Sequence, residues 1–224
     1  MPGIVGLITR LPRVSAEPQL RLMLKAISYE PFYKTDVYID ESLGVYVGWT
    51  VLHGSFSDGM PLKSASGDLC MVFSGEEYSN ERLAHGARNG NGSHGSSGAS
   101  YLLQRYEQDR NFFQNLNGMF HGLIVDRGRG VTTLFNDRYS MHRLCYHQAG
   151  NTFYFGSEAK AILAARPELR SLDQRSLGEF VSLSCVLENR TIFKEVQVLP
   201  AASAWEFKNA ALTNQSTYFE PRQW

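Results

Sequence analysis

Once an initiator methionine is removed, Pro2 would present a secondary amine, and an amine of lowered pKa can pass protons to and from a substrate. Such a base needs a partner acid or a cationic clamp, and no residue pattern in this chain identifies one. Cys70 is a nucleophile by type, but it sits in the apolar run Leu69–Phe73 and reads as a small buried hydrophobe. His142 and His147 flank Leu144 and Tyr146, a spacing that sends them to opposite faces of a strand rather than to one metal. They read as sheet-surface histidines, and no metal site is expected. Asp137 and Arg138 are, by residue type, a candidate catalytic pair. Gly86–Gly98 holds five glycines and three serines, yet lacks the Lys-Ser/Thr that completes a phosphate cradle, so it reads as a flexible surface loop.

The elements that would position these groups follow from apolar periodicity. Ile4–Thr9 reads as a buried strand. A helix is expected to open at Pro18, with Leu20, Met23, Leu24 and Ile27 on one face. Tyr38–His53 turns to β, with Val45, Val47, Trp49 and Val51 alternating along one packed face. Gly54–Ser66 is turn chemistry. The strand Leu69–Phe73 precedes a short helix near Asn80–Arg88, and Leu102, Leu103 and Tyr106 mark another helix. Strands are expected over Phe120–Asp126, Val131–Asn136, Thr152–Phe155 and Ala204–Phe207. Further helices are expected over Ser157–Ala165 and after the N-cap Asp173, where Leu177, Phe180 and Val181 share a face. Strand meanders with grouped helices point to antiparallel sheets covered by helices.

Composition narrows the function classes. The 224 residues carry 22 basic and 22 acidic side chains and are 43% hydrophobic, enough for a substantial core. Zero net charge gives no bulk attraction to nucleic acid or anionic lipid. No apolar run approaches the ~20 residues that span a bilayer, and the first residues lack a signal-peptide pattern. Three dispersed cysteines argue against a disulfide framework and for a reducing, cytoplasmic compartment. No nucleic-acid or membrane partner is expected.

Six segments, in order, resemble the N-terminal glutaminase domain of the asparagine synthetase family. They are Pro2-Gly3-Ile4-Val5-Gly6, Phe73-Ser74-Gly75-Glu76-Glu77-Tyr78, Leu116-Asn117-Gly118-Met119-Phe120, Asn136-Asp137-Arg138-Tyr139, Phe155-Gly156-Ser157-Glu158-Ala159-Lys160-Ala161-Ile162-Leu163, and Arg190-Thr191-Ile192-Phe193-Lys194 leading to Leu199-Pro200. The resemblance implies an α+β, four-layer αββα sandwich of two antiparallel sheets, the N-terminal-nucleophile hydrolase fold, over residues 1–224. It also implies a mechanism in which an N-terminal cysteine attacks the glutamine amide. An asparagine side chain and a glycine N–H then hold the oxyanion. The same resemblance implies a structural role for Asp137 and Arg138, as a buried ion pair or a hydrogen-bonded turn.

This chain departs from that pattern where the chemistry is done. The family cysteine corresponds to Pro2, which has neither thiol nor hydroxyl. Ser74 stands for the oxyanion asparagine, while Gly75 and Glu76 persist. The arginine that clamps the substrate carboxylate falls within Ser28–Lys34, where Ser28-Tyr29-Glu30-Pro31-Phe32 stands instead. The aspartate that binds the substrate amine aligns near Gly98. Ser140, His142 and Arg143 are further departures. The expectation is a vestigial pocket at Ser74, Gly75, Glu76 and Gly98 with no catalytic residue. The domain would belong to an asparagine synthase (glutamine-hydrolysing)-like protein whose C-terminal synthetase domain forms an amide from ammonia or, as in β-lactam synthetases, an amine. ATP and Mg would belong to that domain, whose Ser-Gly-Gly-x-Asp-Ser signature is absent here, and no cofactor is expected in this one. The chain ends near the point where the family's linker enters that half. Homodimerisation is left open. The alternative is a stand-alone, non-catalytic interaction or ligand-binding module of the same fold.

Overall fold

A computed structural model describes residues 2–78 and 99–223. The expected helix near Asn80–Arg88, the glycine-rich stretch and Gly98 lie outside the described residues. Twelve strands among the described residues form two six-stranded antiparallel sheets. The first sheet contains β1 (Gly3–Thr9), β2 (Lys34–Asp40), β3 (Val45–Val51), β8 (Cys145–Ala149), β9 (Thr152–Gly156) and β10 (Gln197–Val198), in the order β10-β8-β9-β1-β3-β2. The second contains β4 (Leu62–Lys63), β5 (Leu69–Glu77), β6 (Gly118–Asp126), β7 (Val131–Asn136), β11 (Ser203–Lys208) and β12 (Ala211–Thr217), in the order β12-β11-β7-β6-β5-β4.

Alternation along each strand assigns the layers. On β1 and β3, Ile4, Ile8, Val45, Val47, Trp49 and Val51 join the core between the sheets, as period-two reading expects. The opposite face of that sheet, through Val5, Leu7, Tyr46 and Tyr154, packs on α1 (Arg13–Ile27) and α3 (Ala159–Ala165). The second sheet turns Phe73, Phe120 and Phe135 outward to Phe112, Phe113 and α2 (Ser100–Gln108), with Phe112 and Phe135 edge to face at 5.9 Å. Its inner face meets the first sheet through Trp205 and Phe207 against Tyr146 and Phe153. Helix, sheet, sheet and helix layers therefore stack as αββα.

Several expectations are corrected. Helix α1 begins at Arg13, and Pro18 lies inside it; the carbonyl that Pro18 leaves unpaired belongs to exposed Val14, where water can take it. Tyr38–His53 is two strands joined by a turn at Gly44, not one. β12 was not anticipated. Its sequence ALTNQST is an exposed edge with little apolar alternation. Helix α4 (Gln174–Leu183) does start on Asp173, whose carboxylate accepts the Ser176 N–H at 2.9 Å. Its Leu177–Phe180–Val181 face, however, stays exposed.

The motifs that carry the resemblance serve packing. A Cβ on Gly3 would lie 2.1 Å from Ser157 Oγ, so the first strand can lie against the turn before α3 only if residue 3 is glycine. The Asn136 side chain donates to the carbonyl of Pro200 at 2.9 Å and accepts the Ser203 N–H at 2.8 Å, stitching β7 to the Leu199-Pro200 segment. Asp137 and Arg138 form a hydrogen-bonded turn rather than an ion pair. Asp137 accepts backbone N–H groups, while Arg138 donates to the Gln114 carbonyl and lies over the Phe219 ring.

Candidate functional site

At the end of the sandwich where β1 starts, a cavity of about 320 Å³ opens between the sheets. Pro2 enters it from β1, and Ser74, Gly75 and Glu76 from the end of β5. Pro2 and the three described residues assigned to the vestigial pocket, Ser74, Gly75 and Glu76, thus share one cavity. The segment Ser28–Lys34, proposed to replace the carboxylate clamp, is not among the lining residues. It closes α1 and leads to β2, with Tyr29 and Tyr33 edge to face and Lys160 Nζ 4.1 Å from the Tyr29 ring. The remaining lining comes from Leu52, Ser55, Ser57, Met119, Met141 and His142, none of which was assigned to the site. Ser55 and Ser57 lie in the stretch read as turn chemistry, so only their tertiary placement gives them meaning.

Gly75 carries the most constrained backbone of the site. Its φ of +118° is open to glycine, and a Cβ there would lie 2.1 Å from the Met119 carbonyl oxygen. Both of its polar backbone groups are taken by one side chain. The Gly75 N–H donates to Ser57 Oγ at 3.2 Å, and Ser57 Oγ–H donates to the Gly75 carbonyl at 3.0 Å. The glycine N–H that the resemblance assigns to an oxyanion is therefore already satisfied inside the protein. Ser74 is buried at 1% exposure, and its Oγ has no partner among the described residues.

His142 was expected on a strand surface, but β8 begins only at Cys145. The loop after β7 instead carries His142 into the cavity wall. Its ring stacks on that of His121 at 4.1 Å, and His121 Nδ1 lies 3.2 Å from the His142 carbonyl oxygen. His121 stands directly across the ladder from Ser74. His147, by contrast, is buried on β8 beside the Glu195 carbonyl, 2.7 Å from its Nδ1. Cys70 is buried as expected, and burial pushes its thiol up to about 12, so it is no thiolate nucleophile near neutral pH.

Burial, reinforced by the neighbouring His142, holds His121 well below the usual histidine range. Burial also lowers His142, against opposing hydrogen bonds to the Ser74 and Pro2 backbones and the charge of Asp137. Both rings are thus less proton-loving in the folded chain than in the unfolded one. Below about pH 6.5 the unfolded state binds more protons, so stability present in full above that pH is lost as pH falls toward the folded values. Each histidine contributes a slope of up to ~1.4 kcal/mol per pH unit. Urea unfolding is expected to show about 1–3 kcal/mol less stability at pH 5.5 than at pH 7.5 from this pair, with part of the difference removed in His142→Gln. Equal midpoints and slopes at the two pH values would show that the pair does not stay neutral.

Residues 1–219 match the glutamine amidotransferase domain family. Asparagine synthetase [glutamine-hydrolyzing] 3 of Bacillus subtilis (strain 168) is 31% identical over 146 residues, covering 63% of this chain and 24% of that protein. Among solved structures, glutamine phosphoribosylpyrophosphate amidotransferase from B. subtilis, complexed with ADP and GMP, superposes with a TM-score of 0.60 at 11% identity. The allosteric regulatory enzyme of purine biosynthesis gives 0.62 at 12%. Each superposition covers 97% of this chain and 49% of the other, and at such identity it shows the fold alone. The chain spans about a quarter of the length of the curated relative and about half of these structures.

Proposed function

This chain belongs to the glutamine amidotransferase domain family and is related to asparagine synthetase; from that membership we propose that it is a glutaminase-type domain that no longer hydrolyses glutamine. One observation carries the reading. The position of the nucleophile is Pro2, and the glycine N–H that would hold the oxyanion is bonded to Ser57 Oγ at 3.2 Å. A covalent acyl route needs a thiol or hydroxyl at that position, and proline supplies neither. An N–H already paired in the ground state gives no preorganised stabilisation to a developing charge.

The domain would serve a longer cytoplasmic protein whose C-terminal synthetase half forms an amide from ammonia or an amine. ATP and Mg would be bound by that half, and no residue of this chain is assigned to them. The 224-residue chain incubated with glutamine is expected to release no glutamate above the buffer rate. Turnover that a thiol reagent abolishes would overturn the reading. A second reading, a stand-alone interaction module, is favoured by the exposed apolar face of α4, where Phe180 and Val181 are 53% and 76% exposed. A Ser-Gly-Gly-x-Asp-Ser segment encoded directly downstream would eliminate it.

A further inference from the structure

We propose that a second cavity, on the outer face of the second sheet and apart from the one beside Pro2, binds an amino acid zwitterion with an apolar side chain, its ammonium on Glu206 and its carboxylate on Arg129. The inference does not depend on whether glutamine is hydrolysed beside Pro2.

Strand register builds the floor of this cavity. Glu206 of β11 pairs with Thr133 of β7 on one side and with Asn214 of β12 on the other, so the three side chains stand in a row on one face of the sheet. Ala204 and Ser216 form the next row on that face. It is the face on which Phe135 meets Phe113, and Phe113 supplies part of the wall. Arg110, just past the end of α2, and Arg129, in the turn between β6 and β7, complete the lining. At about 400 Å³ the cavity falls within the range of small-molecule sites.

Among the described lining residues, Arg110, Arg129 and Glu206 carry a formal charge. Arg110 is engaged within the protein. Its guanidinium lies 4.4 Å from the Tyr106 ring centre, donates to the Tyr106 carbonyl at 2.9 Å, and sits 3.9 Å from the buried Asp126 carboxylate. Arg129 is different, because it meets Asp126 through its backbone N–H, at 3.0 Å. Its guanidinium has no carboxylate within ion-pair distance among the described residues. The Glu206 carboxylate likewise has no cation within that distance, and the Thr213 hydroxyl donates to the Glu206 backbone carbonyl instead, at 3.1 Å. One cavity therefore presents a cation and an anion that pair neither with each other nor with another side chain. A ligand of one sign would satisfy one of them and bring a like charge to the other, whereas a zwitterion complements both.

Hydrogen-bond capacity agrees with this orientation. An ammonium has three N–H donors, and Glu206 stands between the side-chain oxygens of Thr133 and Asn214. Thr133 is 4% exposed, and its hydroxyl has no hydrogen bond among the described residues. A guanidinium matches a carboxylate in two parallel bonds. Phe113, Ala204 and Tyr218 give the same cavity an apolar part, with the Phe113 and Tyr218 rings 6.0 Å apart, where the side chain of the ligand would lie.

L-phenylalanine, 3-phenylpropanoate and phenethylamine, titrated separately into the 224-residue chain at neutral pH by calorimetry, test the assignment. The amino acid is expected to bind at least about tenfold more tightly than either analogue, each of which lacks one charge. Glu206→Gln removes a carboxylate that holds nothing else in the fold. It should weaken L-phenylalanine and phenethylamine about tenfold and leave 3-phenylpropanoate unchanged. Arg129→Gln, at an exposed turn, should do the reverse, weakening L-phenylalanine and 3-phenylpropanoate while sparing phenethylamine. No binding of L-phenylalanine by folded protein, equal binding of an analogue, or affinities that neither variant moves would overturn the inference.

Discussion

The Pro2→Cys variant is expected to remain without glutaminase activity, although it restores the sulfur that an acyl-enzyme requires. The thiol would arrive in a cavity whose other parts point elsewhere. Ser57 occupies the Gly75 N–H, so the developing oxyanion would have to displace an internal hydrogen bond of 3.2 Å. Serine at position 74 is too short to reach as an asparagine amide would, and its hydroxyl is buried beside His121 rather than aimed by any partner. Loss of a single oxyanion donor costs on the order of 10²–10³ in rate, and here two are compromised. Leu52, Met119 and Met141 place apolar side chains around the opening. Glutamate release by Pro2→Cys should therefore be indistinguishable from buffer, while the new thiol still reacts with a general thiol reagent. Robust turnover, or a covalent adduct from a glutamine-derived electrophile at position 2, would show that the pocket had kept its catalytic geometry.

A second large effect is expected at a residue that touches no ligand. Asp137 is fully buried, and its carboxylate gathers the N–H groups of Phe120 at 3.3 Å, Tyr139 at 3.0 Å, and Met141 and His142 at 2.9 Å each. Its own backbone adds three further ties, donating to the Phe120 carbonyl at 2.9 Å and accepting from Ala202 N–H at 2.9 Å and Ser140 N–H at 3.2 Å. Asp137→Ala would remove the acceptor of four backbone donors, one buried and three part-buried. Because charged acceptors of this kind are worth more than neutral ones and single losses are not additive, a destabilisation of about 3–5 kcal/mol is expected. That is a large share of the ~5–15 kcal/mol that holds an ordinary domain together. Urea unfolding measures it, and a loss below ~1 kcal/mol would mean that the turn relaxes and finds other acceptors. The same substitution should release the loop that brings Met141 and His142 to the cavity, so the stacked His121–His142 pair would separate.

These two residues illustrate how unevenly the chain discloses itself. The resemblance placed Asp137 in a structural turn, and the turn is there, but the sequence offered an ion pair with Arg138 as the other structural form. Arg138 instead faces Gln114 and Phe219, because the turn that follows β7 sends the two side chains to different neighbours. Buried strands such as Ile4–Thr9 and Val131–Asn136 were legible because period-two burial leaves an apolar trace. The exposed edge β12 was not, since its pairing with β11 depends on backbone groups that every residue possesses. Helix α4 was legible through its cap, whereas the openness of its apolar face is a property of its surroundings.

That residue 2 is a proline, with neither thiol nor hydroxyl, could be read from the order of residues alone, since side-chain type is a fact of covalent structure. So could the motif order, the antiparallel αββα architecture that the motifs imply, and the convergence of Ser74, Gly75 and Glu76, which are adjacent in the chain. Tertiary structure decided what fills the space around them. Ser57 and His142 come from a turn and a loop whose local patterns carry no chemical signal, and they reach Gly75 and Ser74 because two sheets stack with the ends of β1 and β5 side by side. Hydrogen bonds and ring stacking act over a few ångströms in space, so their partners are chosen by that stacking and not by distance along the chain.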